Sequence, residues 1–179
     1  RRIAGLIEKH AEHLAQIAPS PWNFSQDSEF AVIAAQSTWH SNVLDSAGQR
    51  TSIEFSGRVS SRTVNTRRLV TIDDHQVNVW HVPSSVRIAS LSLPSKTVVD
   101  AVPVPGTDVV VVLTDSAPAI LWNTTTQDRM LIGDNDDVPL DVDGHPTDGS
   151  IVLSLQNGGC QVVNAVTATI SRTLSHDNG

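Results

Sequence analysis

Short apolar runs rich in β-branched residues return at near-constant intervals through most of this chain. Phe30-Ala31-Val32-Ile33-Ala34, Leu69-Val70-Thr71-Ile72, Val109-Val110-Val111-Val112-Leu113 and Ile151-Val152-Leu153-Ser154-Leu155 begin 39, 40 and 42 residues apart. Their length and polar flanks predict strands rather than helices. After each run come a polar turn and a second strand ending in an apolar residue followed by a polar one: Leu44-Asp45, Trp80-His81, Trp122-Asn123 and Val163-Asn164. A third strand is expected in every unit, near Ile53, Ile88, Leu131 and Ile170. Turn segments at residues 25–28, 103–108 and 146–149 precede three of the four lead runs, and their Asp and Gly residues supply tight reversals. A unit repeated in this way cannot bury its faces alone and is stabilised by stacking on its neighbours.

The opening of the chain has a different period. Ile3, Leu6, Ile7, Ala11, Leu14, Ile17 and Ala18 recur at spacings that gather them on one face of an amphipathic helix, which Pro19 and Pro21 terminate. A helix this short needs a surface to pack on. His10 and His13 share its sequence neighbourhood, but no third ligand lies near them, so they read as solvated side chains.

The repeated units resemble the WD-repeat family, on the period of about forty and on Trp80-His81 and Trp122-Asn123, over roughly residues 20–179. The resemblance implies an all-β fold, a β-propeller of WD-repeat type with about four blades (20–57, 58–94, 95–133 and 134–179), preceded by the amphipathic helix and linker at 1–19. It also implies a fourth, inner strand in each blade, with Val98-Val99-Asp100-Ala101-Val102 and Pro139-Leu140-Asp141-Val142 as candidates. Trp80 and Trp122 become structural core between sheets, and Asp73 or Asp74, with Asp115 in the next unit, becomes the residue that ties a strand turn to backbone amides. No unit carries the family's Gly-His pair in full, and the Trp-Asp dipeptide survives only in altered form, so another propeller family with the same four-strand blade is an alternative. Four blades are few for a ring of this type, which points to a larger ring or to one completed by another chain.

Composition narrows the function. A net charge of -7, with Lys9 and Lys96 as the only lysines, argues against a nucleic-acid surface, because phosphate contacts need clustered cations. No window approaches eighteen continuous apolar residues, so no membrane-inserted helix is expected. The single cysteine, Cys160, fits a reducing, cytoplasmic compartment. The missing initiator methionine and the Leu174-Ser175-His176-Asp177-Asn178-Gly179 end read as an excerpt from a longer polypeptide.

Candidate chemistry is sparse. Asp134-Asn135-Asp136-Asp137 with Asp141, Asp143 and Asp148 offers oxygen ligands, but Pro139 and Ser150 stand where a calcium loop needs carboxylates, so a solvated loop between blades is the expectation. Asp73, Asp74 and His75 adjoin at a turn, where neighbouring side chains diverge too far to form a proton relay. Asn23-Phe24-Ser25 and Asn123-Thr124-Thr125 match a glycosylation triplet that arises often by chance. Neither a nucleophile elbow nor a phosphate-binding loop is present, and Gly158-Gly159 reads as a hairpin turn. The expected function is therefore a non-catalytic scaffold for other proteins, without cofactor or metal. One alternative is the sensor region of a STAND/NACHT-type signalling NTPase, in which a helix leads into WD-type repeats. A third, an enzyme with its site in the propeller channel, would draw on His40, His75, His145 or His176.

Overall fold

The computed structural model describes residues 57–60, 68–81, 84–116, 118–133, 138–145 and 147–174 in full, and the strands of residues 23–54 by their backbone. The helix expected over residues 1–19, with His10 and His13, lies outside the described residues, as do the stretch 134–137 and His176.

The described residues form four separate four-stranded antiparallel sheets. The first holds β1 (Asn23–Phe24), β2 (Phe30–Ala34), β3 (His40–Asp45) and β4 (Arg50–Glu54). The second holds β5 (Arg58–Val59), β6 (Arg68–Asp73), β7 (Gln76–His81) and β8 (Val86–Ser92). The third holds β9 (Val98–Pro103), β10 (Val109–Thr114), β11 (Ala119–Asn123) and β12 (Arg129–Ile132). The fourth holds β13 (Pro139–Gly144), β14 (Ser150–Leu155), β15 (Cys160–Asn164) and β16 (Thr169–Leu174). In every sheet the strands lie side by side in chain order, so each apolar run is the second strand of its own sheet.

The second sheet packs on the third through Val70, Ile72, Val77, Val79 and Leu91 against Val98, Val110, Val112, Ile120 and Trp122. On its opposite face, the third sheet packs on the fourth through Val102, Val111, Leu113 and Leu121 against Val142, Ile151, Leu153 and Val163. Each such side chain removed from water contributes roughly 1.5–3 kcal/mol. The sequence reflects the two environments. β10, buried at all six positions, is apolar from Val109 to Leu113 and ends on Thr114, whereas β14 buries only Ile151, Leu153 and Leu155 and alternates with Val152 and Ser154.

Hydrogen bonds recur with the sheets. The Asp115 amide donates to the Thr97 carbonyl at 2.9 Å and the Gln156 amide to Val138 at 3.0 Å, closing one end of the third and fourth sheets. At the other end the Thr124 amide donates to Asp108 at 2.8 Å and the Ala165 amide to Gly149 at 3.0 Å. The polar member of the apolar-polar pair caps the turn after its strand. Asn123 Oδ1 accepts from the Thr125 and Thr126 amides, and Asn164 Oδ1 from those of Val166 and Thr167, at 2.9–3.0 Å. That turn places Ser85, Gln127 and Ala168 at positive φ in three successive sheets.

Candidate functional site

The first strands of the third and fourth sheets share an irregularity that puts apolar side chains at the surface. Val98 pairs with Thr114 and Asp100 with Leu113, leaving Val99 as an extra residue. Pro139 pairs with Leu155 and Asp141 with Ser154, leaving Leu140 in the same position one unit later. A bulge of this kind bends the strand, leaves one residue outside the ladder and re-aims its side chain. Val99 is accordingly 47% exposed and Leu140 57%.

Around these bulges lies a polar set drawn from neighbouring first strands. The Arg58 guanidinium on β5 donates to the carbonyl of Val99, which the bulge has taken out of its ladder. Ser60 Oγ donates to Asp100 Oδ1 at 3.1 Å, and the same oxygen accepts the Ala101 amide at 2.9 Å. One unit later Asp141 Oδ1 accepts the Val142 amide, again at 2.9 Å. Val99 on β9 and Leu140 and Asp141 on β13 are thus all exposed on the first strands of successive sheets. The sequence predicts both strands but not their bulges; the recurring pairs Val99-Asp100 and Leu140-Asp141, 41 residues apart, are the available signal.

A second inter-sheet tie lies at the other end of the β6 and β10 strands. Arg68 Nη2 sits 2.6 Å from Asp108 Oδ1, and Thr125 Oγ1 donates to Asp108 Oδ2 at 2.9 Å. The hydrogen bond from Arg68, then that from Thr125, holds the Asp108 carboxyl below the usual carboxylate range, against a smaller opposing effect of desolvation. Asp148 is lowered as well, chiefly by the Ser150 amide that it accepts at 2.8 Å. The first shift arises mainly from a tie between two sheets and the second from a bond within a turn.

The residues singled out from the sequence fall as follows. Trp122 is fully buried between the second and third sheets, while Trp80 is only half-buried. Asp115 Oδ1 accepts the Thr97 amide at 3.2 Å, in the segment leading into β9. Asp73 and Asp74 stand exposed at the β6–β7 turn, and neither carboxylate takes part in a hydrogen bond among the described residues. That turn is tied by its main chain instead: the Asp74 carbonyl accepts the Val98 amide and the His75 carbonyl the Leu93 amide, both at 2.7 Å. Backbone carbonyls already aimed at the next strand leave the carboxylates free to face water.

The histidines are dispersed. His75 Nδ1 lies 2.8 Å from the Lys96 carbonyl, at the β6–β7 turn, and His145 Nδ1 lies 3.1 Å from Asp148, at the β13–β14 turn. Those two turns belong to different sheets and to opposite strand ends. His40 lies on β3, whose side chains are outside the described residues. Asp141 and Asp143 are on β13 and Asp148 is in the following turn; no group of three candidate ligands gathers among the described residues. The Asn123 side chain is engaged in its turn cap, and Gly158 occupies the β14–β15 hairpin at φ 86°. Cys160 is half-buried on β15.

Comparison with solved structures places this architecture. The chain superposes on the β-propeller domain of Cps50 (Swd1) from Myceliophteria thermophila with a TM-score of 0.70 at 13% identity, over 88% of this chain and 55% of that one. The fold is that of WD40 β-propeller blades. The WD40 repeats of RRP9 match as well, with a TM-score of 0.66 at 12% identity, over 86% of this chain and 48% of that one. The chain thus spans about half the length of the WD40 domains it matches. No protein-family model matches the chain, and no curated protein matches its sequence. In WD40 terms, β5, β9 and β13 are the inner strands, and the bulges at Val99 and Leu140 lie on the inner edge.

Proposed function

We propose that this chain is a non-catalytic protein-interaction scaffold whose inner edge, at Val99, Leu140 and Asp141, is a docking surface for a partner segment that combines apolar and basic side chains. The carrying observation is the pair of equivalent bulges, which leave two large apolar side chains in water where an uninterrupted strand would alternate them away. Exposed apolar groups beside a carboxylate favour a partner with the opposite charge, and the net charge of -7 assists its approach over distance. The fold supports this reading, since WD40 propellers commonly serve as interaction platforms.

The test is affinity capture with the wild-type chain and with a Val99→Ser/Leu140→Ser variant. Both positions are exposed, so the variant keeps its thermal midpoint within a few degrees. Partners that dock on this edge are expected to be lost from the variant and to weaken with added salt. Equal recovery by the two proteins would move the docking surface elsewhere, and failure of either to retain a protein would argue against a scaffold.

A further inference from the structure

The last strand of each sheet forms its outer edge, and β12 is the one such edge among the described sheets that is neither bulged nor mainly polar. In the second sheet Trp80 pairs with Arg87 and Val79 with Ala89, so Ile88 is an extra residue. In the fourth sheet Val163 pairs with Ile170 and Val162 with Arg172, and Ser171 is extra at the same place. Trp122 and Leu121, by contrast, pair directly with Arg129 and Met130, and the ladder of β12 is unbroken. β4 is unbroken as well, but it is polar at Arg50, Thr51, Ser52 and Glu54, whereas β12 is apolar at Met130, Leu131 and Ile132. Bulges and charged side chains are what keep a sheet edge from pairing with other chains.

The ladder also shows which backbone groups of β12 face outward. Antiparallel strands alternate residue pairs that exchange hydrogen bonds with pairs that do not. The Asn123 amide donates to the Asp128 carbonyl at 2.9 Å, so the next bonded pair is Leu121 with Met130. Arg129 and Leu131 therefore turn their N–H and C=O groups away from β11, and these are bonded to no other described residue. The two side chains share a face, since their partners Trp122 and Ile120 both lie in the core between the second and third sheets. Leu131 is nevertheless 63% exposed, and Arg129 is exposed with no ion pair among the described residues. Backbone donors and acceptors, an apolar side chain and a cation thus lie along one open edge.

We infer that β12 takes up an extended segment of a partner protein as an added antiparallel strand, with a glutamate opposite Arg129 and a β-branched residue opposite Leu131. β12 of a second copy is a poorer occupant, because it offers Arg129 no carboxylate. The third sheet packs on the second and on the fourth, so the edge lies on the rim between them, across the sheet from the inner strand that carries Val99. A short edge makes a weak complex, with a Kd on the order of 100 μM.

Calorimetric titration of the whole chain with the capped peptide Thr-Thr-Ile-Thr-Glu-Thr-Thr, up to about 1 mM, tests this together with hydrogen exchange of the backbone amides. Binding is expected to slow exchange at Arg129 and Leu131. The same peptide N-methylated at Ile and Glu keeps its side chains but loses the donors that face β12, and should bind at least about tenfold more weakly. Leu131→Pro removes an outward N–H while leaving the bonds to β11 in place, and should cause a similar loss. Arg129→Glu should weaken binding by about threefold or more, and replacing the peptide's glutamate with lysine should restore it. Circular dichroism separates loss of binding from loss of fold; should Leu131→Pro fail to fold, the methylated peptide makes the same comparison on the wild type. Val99→Ser/Leu140→Ser should bind as the wild type does, which separates this edge from the inner one. No binding by the wild type, equal binding of the methylated peptide, indifference to Arg129→Glu, loss of binding in Val99→Ser/Leu140→Ser, or a wild-type dimer that Leu131→Pro makes monomeric would each overturn the assignment.

Discussion

Trp80 donates its indole N–H to Thr71 Oγ1 at 3.0 Å, while the equivalent Trp122, one sheet later, is buried with its N–H unpartnered. The difference comes from a single position. Trp80 pairs across the ladder with Leu69, and Thr71 is two residues further along the same face; Trp122 pairs with Val110, and Val112 occupies the matching place. A buried donor without a partner costs about 1–3 kcal/mol. Val112→Thr, nearly isosteric, is expected to raise unfolding stability by about 1 kcal/mol, and Thr71→Val to lower it by a similar amount. Urea denaturation of the two variants checks both signs; a destabilised Val112→Thr would show that its hydroxyl does not reach the indole.

Acid should loosen the tie between the second and third sheets. Because Asp108 has a lowered pKa in the folded chain, its stabilising effect is complete above the unfolded value near 3.9 and is lost as pH falls through the lower, folded value. Arg68 and Asp108 are 32% and 41% exposed, and solvent screening holds the pair to roughly 0.5–1 kcal/mol. Stability curves of the wild type and Asp108→Asn are therefore expected to differ by about that amount at pH 7 and to converge as pH falls through the lowered, folded value. A constant gap down to pH 2 would assign the effect of the substitution to something other than charge.

Gly57 has φ +89°, and a Cβ there would lie 2.2 Å from the Ile72 carbonyl oxygen, which is backbone and cannot swing aside. Gly57→Ala should lose at least about 2 kcal/mol. Gly106 has φ +72° with open space around it, so Gly106→Ala should cost only the backbone penalty of about 1 kcal/mol. Equal losses in chemical denaturation would mean that the close approach at Ile72 is relieved by movement of the loop.

Ala168 adopts φ 55° in the β15–β16 turn, a conformation that its Cβ disfavours. Ala168→Gly is expected to stabilise the chain by about 0.5 kcal/mol, after the entropy of the added glycine is set against the relieved strain. A lowered thermal midpoint would show that the packing of its methyl group matters more.

Much of this architecture is written in the apolar runs. β10 and its counterparts are visible as runs because a central strand packed against neighbouring sheets is filled mainly by apolar side chains, with few polar exceptions such as Thr71 and Thr114, and the forty-residue spacing follows from each unit being one sheet. The bulges were not legible. Val99 and Leu140 are ordinary strand residues by composition, and only the pairing of β9 with β10 and of β13 with β14 shows them to be extra. Arg68 and Asp108 are forty residues apart and meet only because their sheets stack. Asp73 and Asp74 occupy the turn where the repeat pattern expects a tether, and the turn is tied there by main-chain bonds from Leu93 and Val98.

Every hydrogen-bonded pair of strands in the four sheets joins chain neighbours. Closing such hairpins requires connections of at most eight residues, so little chain entropy is lost before the first contacts form. Each sheet can therefore assemble from its own segment as it leaves the ribosome and serve as a template for the next, with collapse advancing along the polypeptide in the order of synthesis.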